Sequence, residues 1–117
     1  MKKELLIGGQ TLALSANAAT PVRYKMAFSE DLLKALSSTE DSETDLPDVV
    51  SKLTYVMNKQ ALQDTADLSF DDYLLWLEGF DDPTAFLIYS ADIIKFYLGN
   101  VKTGSKAKNS KGPRPAK

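Results

Sequence analysis

The stretch PDVVSKLTYVMNKQALQ, residues 47–63, predicts a helix that faces the protein core along one side. Its proline suits the first helical turn, where an amide hydrogen would have no partner. Apolar side chains then recur at intervals of three and four residues, namely Val49, Val50, Leu53, Val56 and Met57. The residues expected on the opposite, water-facing side are Ser51, Lys52, Thr54, Asn58 and Lys59.

A second helix is predicted over residues 69–79, within the stretch SFDDYLLWLEGFDDP at 69–83. Ser69 and Asp72 have the spacing of a capping pair, in which each side chain satisfies an amide near the helix start. Gly79 suits the helix end. At 100° per residue, one arc of the helix carries Phe70, Tyr73, Leu74, Leu77 and Phe80, with Trp76 at its margin and Leu75 outside it.

A third helix is predicted over residues 83–98, because Asp82 and Pro83 form an N-cap followed by a first-turn proline. It has two apolar faces. One carries Phe86, Leu87, Ile93, Ile94, Tyr97 and Leu98, and the other carries Ala85, Tyr89 and Phe96. Such a helix is either central in the fold or leaves one stripe for a partner.

The N-terminal part predicts a β-hairpin over residues 3–16, turning at Gly8 and Gly9. A lone hairpin is only marginally stable, so its apolar face must lie on helices or its free edge must pair with another chain. A further helix is expected over residues 20–37, with a bend or second start at Ser29. The polar segment 37–48 is expected to be an exposed loop.

Composition limits the class of protein. The chain has 117 residues, of which 44% are apolar and 26% charged, which predicts one globular domain over residues 1–101. It contains no cysteine and no histidine, so thiol nucleophiles, disulfides and histidine bases are excluded. No apolar run is long enough for a membrane span or a signal peptide, so a cytoplasmic protein is expected. The predicted fold class is α+β, mainly α-helical, with four to five helices and an N-terminal hairpin.

Charge is unevenly distributed. Residues 1–101 carry 8 basic and 16 acidic side chains, whereas residues 102–117 carry 6 basic side chains and no acid. The second segment is expected to be a disordered basic tail. It is interpreted either as a solvated tail or as an arm for nucleic acid. Nucleic acid is not the favoured partner, because no aromatic residue is interleaved for stacking and the acidic body would repel phosphate.

The acid pairs Asp71–Asp72 and Asp81–Asp82 could in principle hold a cation such as Mg²⁺. Helix capping explains their neighbours and spacing, whereas a metal site explains none of them. We therefore expect no metal, no cofactor and no catalytic residue, and the chain is not expected to be an enzyme.

Eight aromatic residues fall between positions 70 and 97, more than one small core needs, and aromatic side chains anchor interfaces. A homo-oligomer or another protein partner is therefore expected. The predicted contact surface comprises Leu75, Trp76, Tyr89 and Phe96, with the edge of the hairpin as a second surface for self-association.

Three segments carry a family resemblance: TPVRYKMAFSEDLLKAL (20–36), LTYVMNKQA (53–61) and SFDDYLLWLEGFDDP (69–83). Together with the apolar helix and lysine-rich end that follow, they resemble the tail assembly chaperones of long-tailed bacteriophages and prophages. The motifs are patterns of apolar and aromatic residues with no catalytic signature. Ser29 departs from the pattern, which has glycine after the phenylalanine.

The resemblance implies a protein that coats the tape measure protein and recruits tail tube subunits before the tube polymerises, and that is absent from the mature virion. It also implies two isoforms, of which this chain would be the short form and the other a frameshift-extended form. A chaperone of this kind needs an exposed apolar groove and reversible binding, and no chemistry. The alternative is a small regulatory adaptor or nucleic-acid-binding module that acts through the basic tail.

Overall fold

The structure is a computed structural model that describes residues 2–39 and 45–103 of the chain, and the side chains of 2–39 and 45–99. Two strands and six helices lie within these ranges. They are β1 (Lys2–Ile7), β2 (Gln10–Ser15), α1 (Thr20–Phe28), α2 (Leu32–Ser38), α3 (Leu46–Ala61), α4 (Phe70–Leu77), α5 (Ala85–Ile88) and α6 (Ser90–Thr103). The predicted α+β, mainly helical class is confirmed. None of the helices in these ranges combines the length and apolar character that crossing a bilayer requires.

Helix α3 lies at the centre of the fold and packs against β2 and the other five helices. Its predicted core face is buried, but the prediction of a water-facing side is wrong for three of its five residues. Ser51, Thr54 and Asn58 are buried as well, and the Lys52 and Lys59 side chains are mostly covered. Periodicity identified the most apolar side of α3, but the surrounding elements cover more of the helix than that side and leave Asp48 exposed.

The hairpin forms as predicted, with β1 and β2 antiparallel and Ile7 opposite Gln10. Gly8 and Gly9 have φ angles of 57° and 83°, the left-handed conformation that both central residues of a type I′ turn require. A side chain at Gly8 would also meet Ala85, because an added Cβ would lie 3.0 Å from the Ala85 Cβ. The turn therefore needs glycine both for its backbone conformation and for its packing on α5.

The helix predicted over residues 20–37 is two helices, and the second start at Ser29 to Asp31 is confirmed. Ser29 ends α1 in the left-handed region, with φ 54° and ψ 38°, and its amide donates to the Lys25 carbonyl. Asp31 then caps α2, where its carboxylate accepts from the Lys34 amide at 3.0 Å. This αL residue and the new cap allow the chain to change direction within three residues.

The prediction of one two-faced helix over residues 83–98 is wrong. Asp82 accepts hydrogen bonds from the Thr84 amide and hydroxyl, which makes a turn, and α5 begins only at Ala85. The chain breaks at Tyr89, and α6 restarts at Ser90, whose hydroxyl donates to the Leu87 carbonyl at 2.8 Å. Each predicted face combines residues of both helices, and the break at Tyr89 ends the regular 100° spacing on which those faces depend.

The remaining boundaries differ by a few residues. Helix α2 continues through Ser38, so the predicted loop begins later than residue 37, and its central residues 40–44 lie outside the described part of the chain. Helix α6 continues through Thr103, past the predicted end at 98 and into the predicted tail. Residues 104–117, which carry most of that tail, also lie outside the described residues.

Candidate protein-interaction site

The four residues predicted as a contact surface occupy different environments. Leu75 is 67% exposed, on the outer side of α4. Trp76 and Tyr89 are half-buried, and Phe96 is only 8% exposed. The expectation that Phe96 lies on an exposed face is therefore wrong, because α6 turns this ring into the core. Of the four, Leu75 alone is an exposed apolar side chain.

Trp76 anchors α4 to the rest of the fold. Its indole N–H donates to the Asn58 side-chain oxygen at 2.9 Å, and the Asn58 amide nitrogen donates to the Ala13 carbonyl at the same distance. The Trp76 ring lies 4.9 Å from that of Phe80 and 5.8 Å from that of Phe86. One asparagine therefore links α4, through α3, to the hairpin.

A stripe of apolar side chains remains exposed on the other flank of α4. Phe70 is 50% exposed and Leu74 is 41% exposed, and half-buried Leu77 continues the row. These positions are four and three residues apart, so the side chains lie one after another along the helix. The Phe70 ring also lies 5.7 Å from that of Tyr73, which joins the stripe to the core.

A cleft of about 350 Å³ opens beside this stripe, between the start of α3, the end of α4 and the segment that leads into α5. We call it the α4 cleft. The residues that line it are Pro47, Asp48, Ser51, Tyr73, Leu77, Phe80, Asp82, Pro83 and Phe86. Its volume is at the lower end of the range of ligand pockets, roughly 300–1,000 Å³, and suits one or two large side chains.

The buried polar groups of the cleft already have partners within the protein. The Ser51 hydroxyl donates to the Asp48 carbonyl at 3.0 Å, so the Tyr73 hydroxyl, 2.6 Å from it, is the donor of the second bond. Burial raises the pKa of the Tyr73 phenol above its ordinary value. Tyr73 therefore stays neutral at physiological pH, and this part of the wall holds no charge.

Acidic side chains lie at the rim of the cleft. Asp82 is fully exposed, and its two hydrogen bonds from Thr84 lower its pKa, so it stays ionised. Asp48 pairs with Lys52 at 3.1 Å, and Lys52 also lies 3.6 Å from Glu30. Lys52 therefore offsets the charge of Asp48, whereas Asp82 keeps a charge exposed to solvent at this rim.

The capping explanation for the acid pairs is confirmed only in part. The Ser69 hydroxyl accepts from the Asp72 amide at 3.1 Å, as a capping pair requires. The Asp72 carboxylate instead accepts from the Tyr55 hydroxyl at 2.6 Å and lies 3.7 Å from the Lys59 ammonium. The Ser69 amide donates to the Tyr55 hydroxyl in its place, at 3.2 Å. Among the described residues, no three acidic side chains are grouped so that they could hold a metal ion.

Comparisons with protein-family models, with curated proteins and with solved structures find no match to this chain. The site therefore stands on its own geometry. The 100° spacing groups Phe70, Leu74 and Leu77 in one arc of α4, as the structure does, but it did not indicate that Phe70 and Leu74 are exposed or that Leu77 lines a cleft. Periodicity carries no signal for this exposure, because an arc of about 120° is ordinary for a helix that packs against the core.

Proposed function

We propose that this protein is a non-enzymatic tail assembly chaperone of a long-tailed phage or prophage. It binds the tape measure protein in the host cytoplasm and helps to recruit tail tube subunits. The resemblance of residues 20–36, 53–61 and 69–83 suggests this client, and the exposed apolar stripe beside the α4 cleft is the observation that supports the proposal.

A helical client explains the shape of this site. The row of Phe70, Leu74 and Leu77 runs along the axis of α4, and an apolar helix docks along such a row with its own residues spaced at three and four. The cleft at the end of the row takes one larger side chain from the client. Leu75 lies about 100° around the helix from Leu74 and widens the contact on the outer side.

Weak, reversible binding follows from the size of this surface. Only a few side chains are exposed, and the polar groups within the cleft are already paired, so a client gains mainly from apolar burial. Such a contact can be broken when tube subunits polymerise onto the client. Leu74 lies centrally in the row and is therefore the residue on which binding should depend most.

The proposal is tested by co-expressing the chain with the tape measure protein of the same genome and purifying through a tag on the latter. We expect wild-type chain to be retained and the Leu74→Glu variant to lose about tenfold or more in affinity, since a charge would be buried against the client. Circular dichroism of the isolated variant verifies that it is folded.

Leu62→Glu is the matched control. Leu62 is 59% exposed and lies at the other end of α3, roughly 16 Å along the helix from Ser51. This variant should bind as the wild type does. Equal binding by Leu74→Glu and wild type would remove the α4 stripe from the site, and failure of the wild type to be retained would refute the chaperone function. Retention that disappears after nuclease treatment would favour the nucleic-acid module instead.

A further inference from the structure

The two edges of the hairpin differ. On β2, the Ala13 carbonyl accepts from the Asn58 side chain at 2.9 Å, and the Ser15 carbonyl accepts from the Gln60 side chain at 2.6 Å. Both carbonyls point away from β1. Two amide side chains of α3 therefore satisfy this edge, where another strand would otherwise pair.

The edge of β1 is open. Glu4 lies opposite Ala13, and Lys2 lies opposite Ser15. In an antiparallel ladder, the backbone groups of two opposite residues point either towards each other or away from each other, and the two cases alternate along the strand. The Ala13 and Ser15 carbonyls point away from β1, so the backbone groups of Lys2, Glu4 and Leu6 point away from β2. In the described part of the chain, no hydrogen bond reaches these outward groups, and Leu6 is 57% exposed.

We propose that β1 pairs antiparallel with β1 of a second copy of this chain, with Leu5 facing Leu5 of the second copy across a twofold axis. The product is a continuous four-stranded sheet in the order β2, β1, β1, β2. The proposal does not depend on the chaperone function, because it rests on the backbone and side chains of the hairpin alone.

The register follows from the charges on β1. Only the even-numbered residues of β1 have outward backbone groups, so each of them must lie opposite an even-numbered residue of the second copy. The twofold axis therefore passes through a residue of the strand and not between two residues. An axis at Lys3 or at Glu4 would place like charges directly opposite each other, which is destabilising. An axis at Leu6 would overlap only three strand residues. An axis at Leu5 overlaps five strand residues of each copy. It places Glu4 opposite Leu6 and Lys3 opposite Ile7 of the second copy, so no like charges lie opposite each other.

A second copy suits this edge because the Leu5 register is self-complementary. Each outward group of Glu4 meets an outward group of Leu6 in the other copy, so the same pairs form twice about the axis. Pairing would also cover Leu6 and the half-buried Leu5. Twofold pairing thus satisfies the outward groups of Glu4 and Leu6 and removes exposed apolar surface in one step.

Single-cysteine variants test the register, because the chain has no cysteine of its own. In the proposed dimer, Leu5 and its counterpart form a non-hydrogen-bonded pair with Cα atoms about 4.5 Å apart, which permits a disulfide. The two Glu4 Cα atoms would be about 8 Å apart, which does not. Under mild oxidation, Leu5→Cys should form a covalent dimer and Glu4→Cys should remain mostly uncrosslinked.

Random collision would give the opposite order, since Glu4 is exposed and Leu5 is half-buried. Crosslinking of Glu4→Cys in preference to Leu5→Cys would therefore overturn the register. Sedimentation of the cysteine-free wild type should show a dimer, and a strictly monomeric wild type would overturn the pairing itself.

Glu4→Pro provides a test that does not use cysteine. The substitution removes an outward amide in each copy, but the bonds between β1 and β2 remain, because that amide does not face β2. We expect the protein to stay folded and its dimer dissociation constant to rise about tenfold or more. An unchanged dissociation constant would mean that the copies associate through another surface.

Discussion

Ser29 illustrates how one residue sets the course of the chain. Its backbone is in the left-handed region, which most residues with a side chain avoid, and the turn from α1 to α2 depends on it. The side chain itself is exposed and lies in a sharp turn between two helices. The conformation is therefore imposed by the packing of α1 and α2 on α3, and a glycine would adopt it more readily.

We predict that Ser29→Gly stabilises the protein by about 0.5–1 kcal/mol. The left-handed conformation costs a non-glycine residue about 1–2 kcal/mol, part of which is offset by the greater freedom of glycine in the unfolded chain. Urea unfolding followed by circular dichroism measures the difference. Ser37→Gly, at an exposed position inside α2, is the control and should destabilise by about 0.5–1 kcal/mol. A loss of stability in Ser29→Gly would contradict the assigned backbone conformation.

At the scale of elements, the contact between α3 and the hairpin is partly polar. Gln60 is buried, and its amide nitrogen donates to the Ser15 carbonyl at 2.6 Å and to the Thr20 hydroxyl at 2.9 Å. Its oxygen accepts from the Arg23 guanidinium at 3.0 Å. One side chain thus connects the end of β2, the start of α1 and the last turn of α3, and all its hydrogen-bonding groups are used.

Replacing Gln60 with methionine should destabilise the protein by about 1–3 kcal/mol, because the Ser15 carbonyl would be left buried without a donor. Gln10→Met is a close control, since the Gln10 amide also donates to a carbonyl, that of Gly79, at 2.6 Å but in an exposed position. Water can replace that bond, so the control should change stability by less than about 0.5 kcal/mol. Chemical denaturation of both variants tests the contrast, and equal losses would show that burial does not decide the cost.

At the scale of the whole molecule, aromatic rings connect elements that are distant in sequence. Phe28 contacts Tyr55 and Tyr73, Tyr73 contacts Trp76, and Trp76 contacts Phe86, so the rings join α1, α3, α4 and α5.

Several tyrosines that belong to this series of aromatic rings, or lie near it, are buried with neutral phenols. Burial, followed by hydrogen bonds to carboxylates, raises the pKa of Tyr24 beside Glu30 and of Tyr55 beside Asp72. Burial also raises the pKa of Tyr73 and Tyr97.

These shifts predict a loss of stability at alkaline pH. Below about pH 10, phenols are protonated in both states, whereas above it the unfolded chain releases protons that the folded protein retains. The unfolded state then binds fewer protons, so the free energy of unfolding falls as pH rises. The urea midpoint should therefore decrease between about pH 9 and pH 11, and Tyr55→Phe should show a smaller decrease. A midpoint that stays constant over this range would contradict burial of the phenols.

The sequence by itself determined the features that depend on neighbouring residues. Two glycines fixed the hairpin turn, Ser69 capped α4 where its spacing indicated, and the apolar repeat located α3 within two residues at each end. Each is a short-range effect of backbone conformation or of a hydrogen bond within one turn, so local sequence contains the whole cause.

Only the tertiary structure decided which surfaces remain exposed. Asn58 and Gln60 are buried because β2 offers carbonyls to them, and Phe96 is buried because the chain breaks at Tyr89 and redirects α6. Phe70 and Leu74 stay exposed because no described element covers that flank of α4. Periodicity assigns side chains to a face, but burial depends on which element packs against that face, and that is set by contacts between residues far apart in the chain.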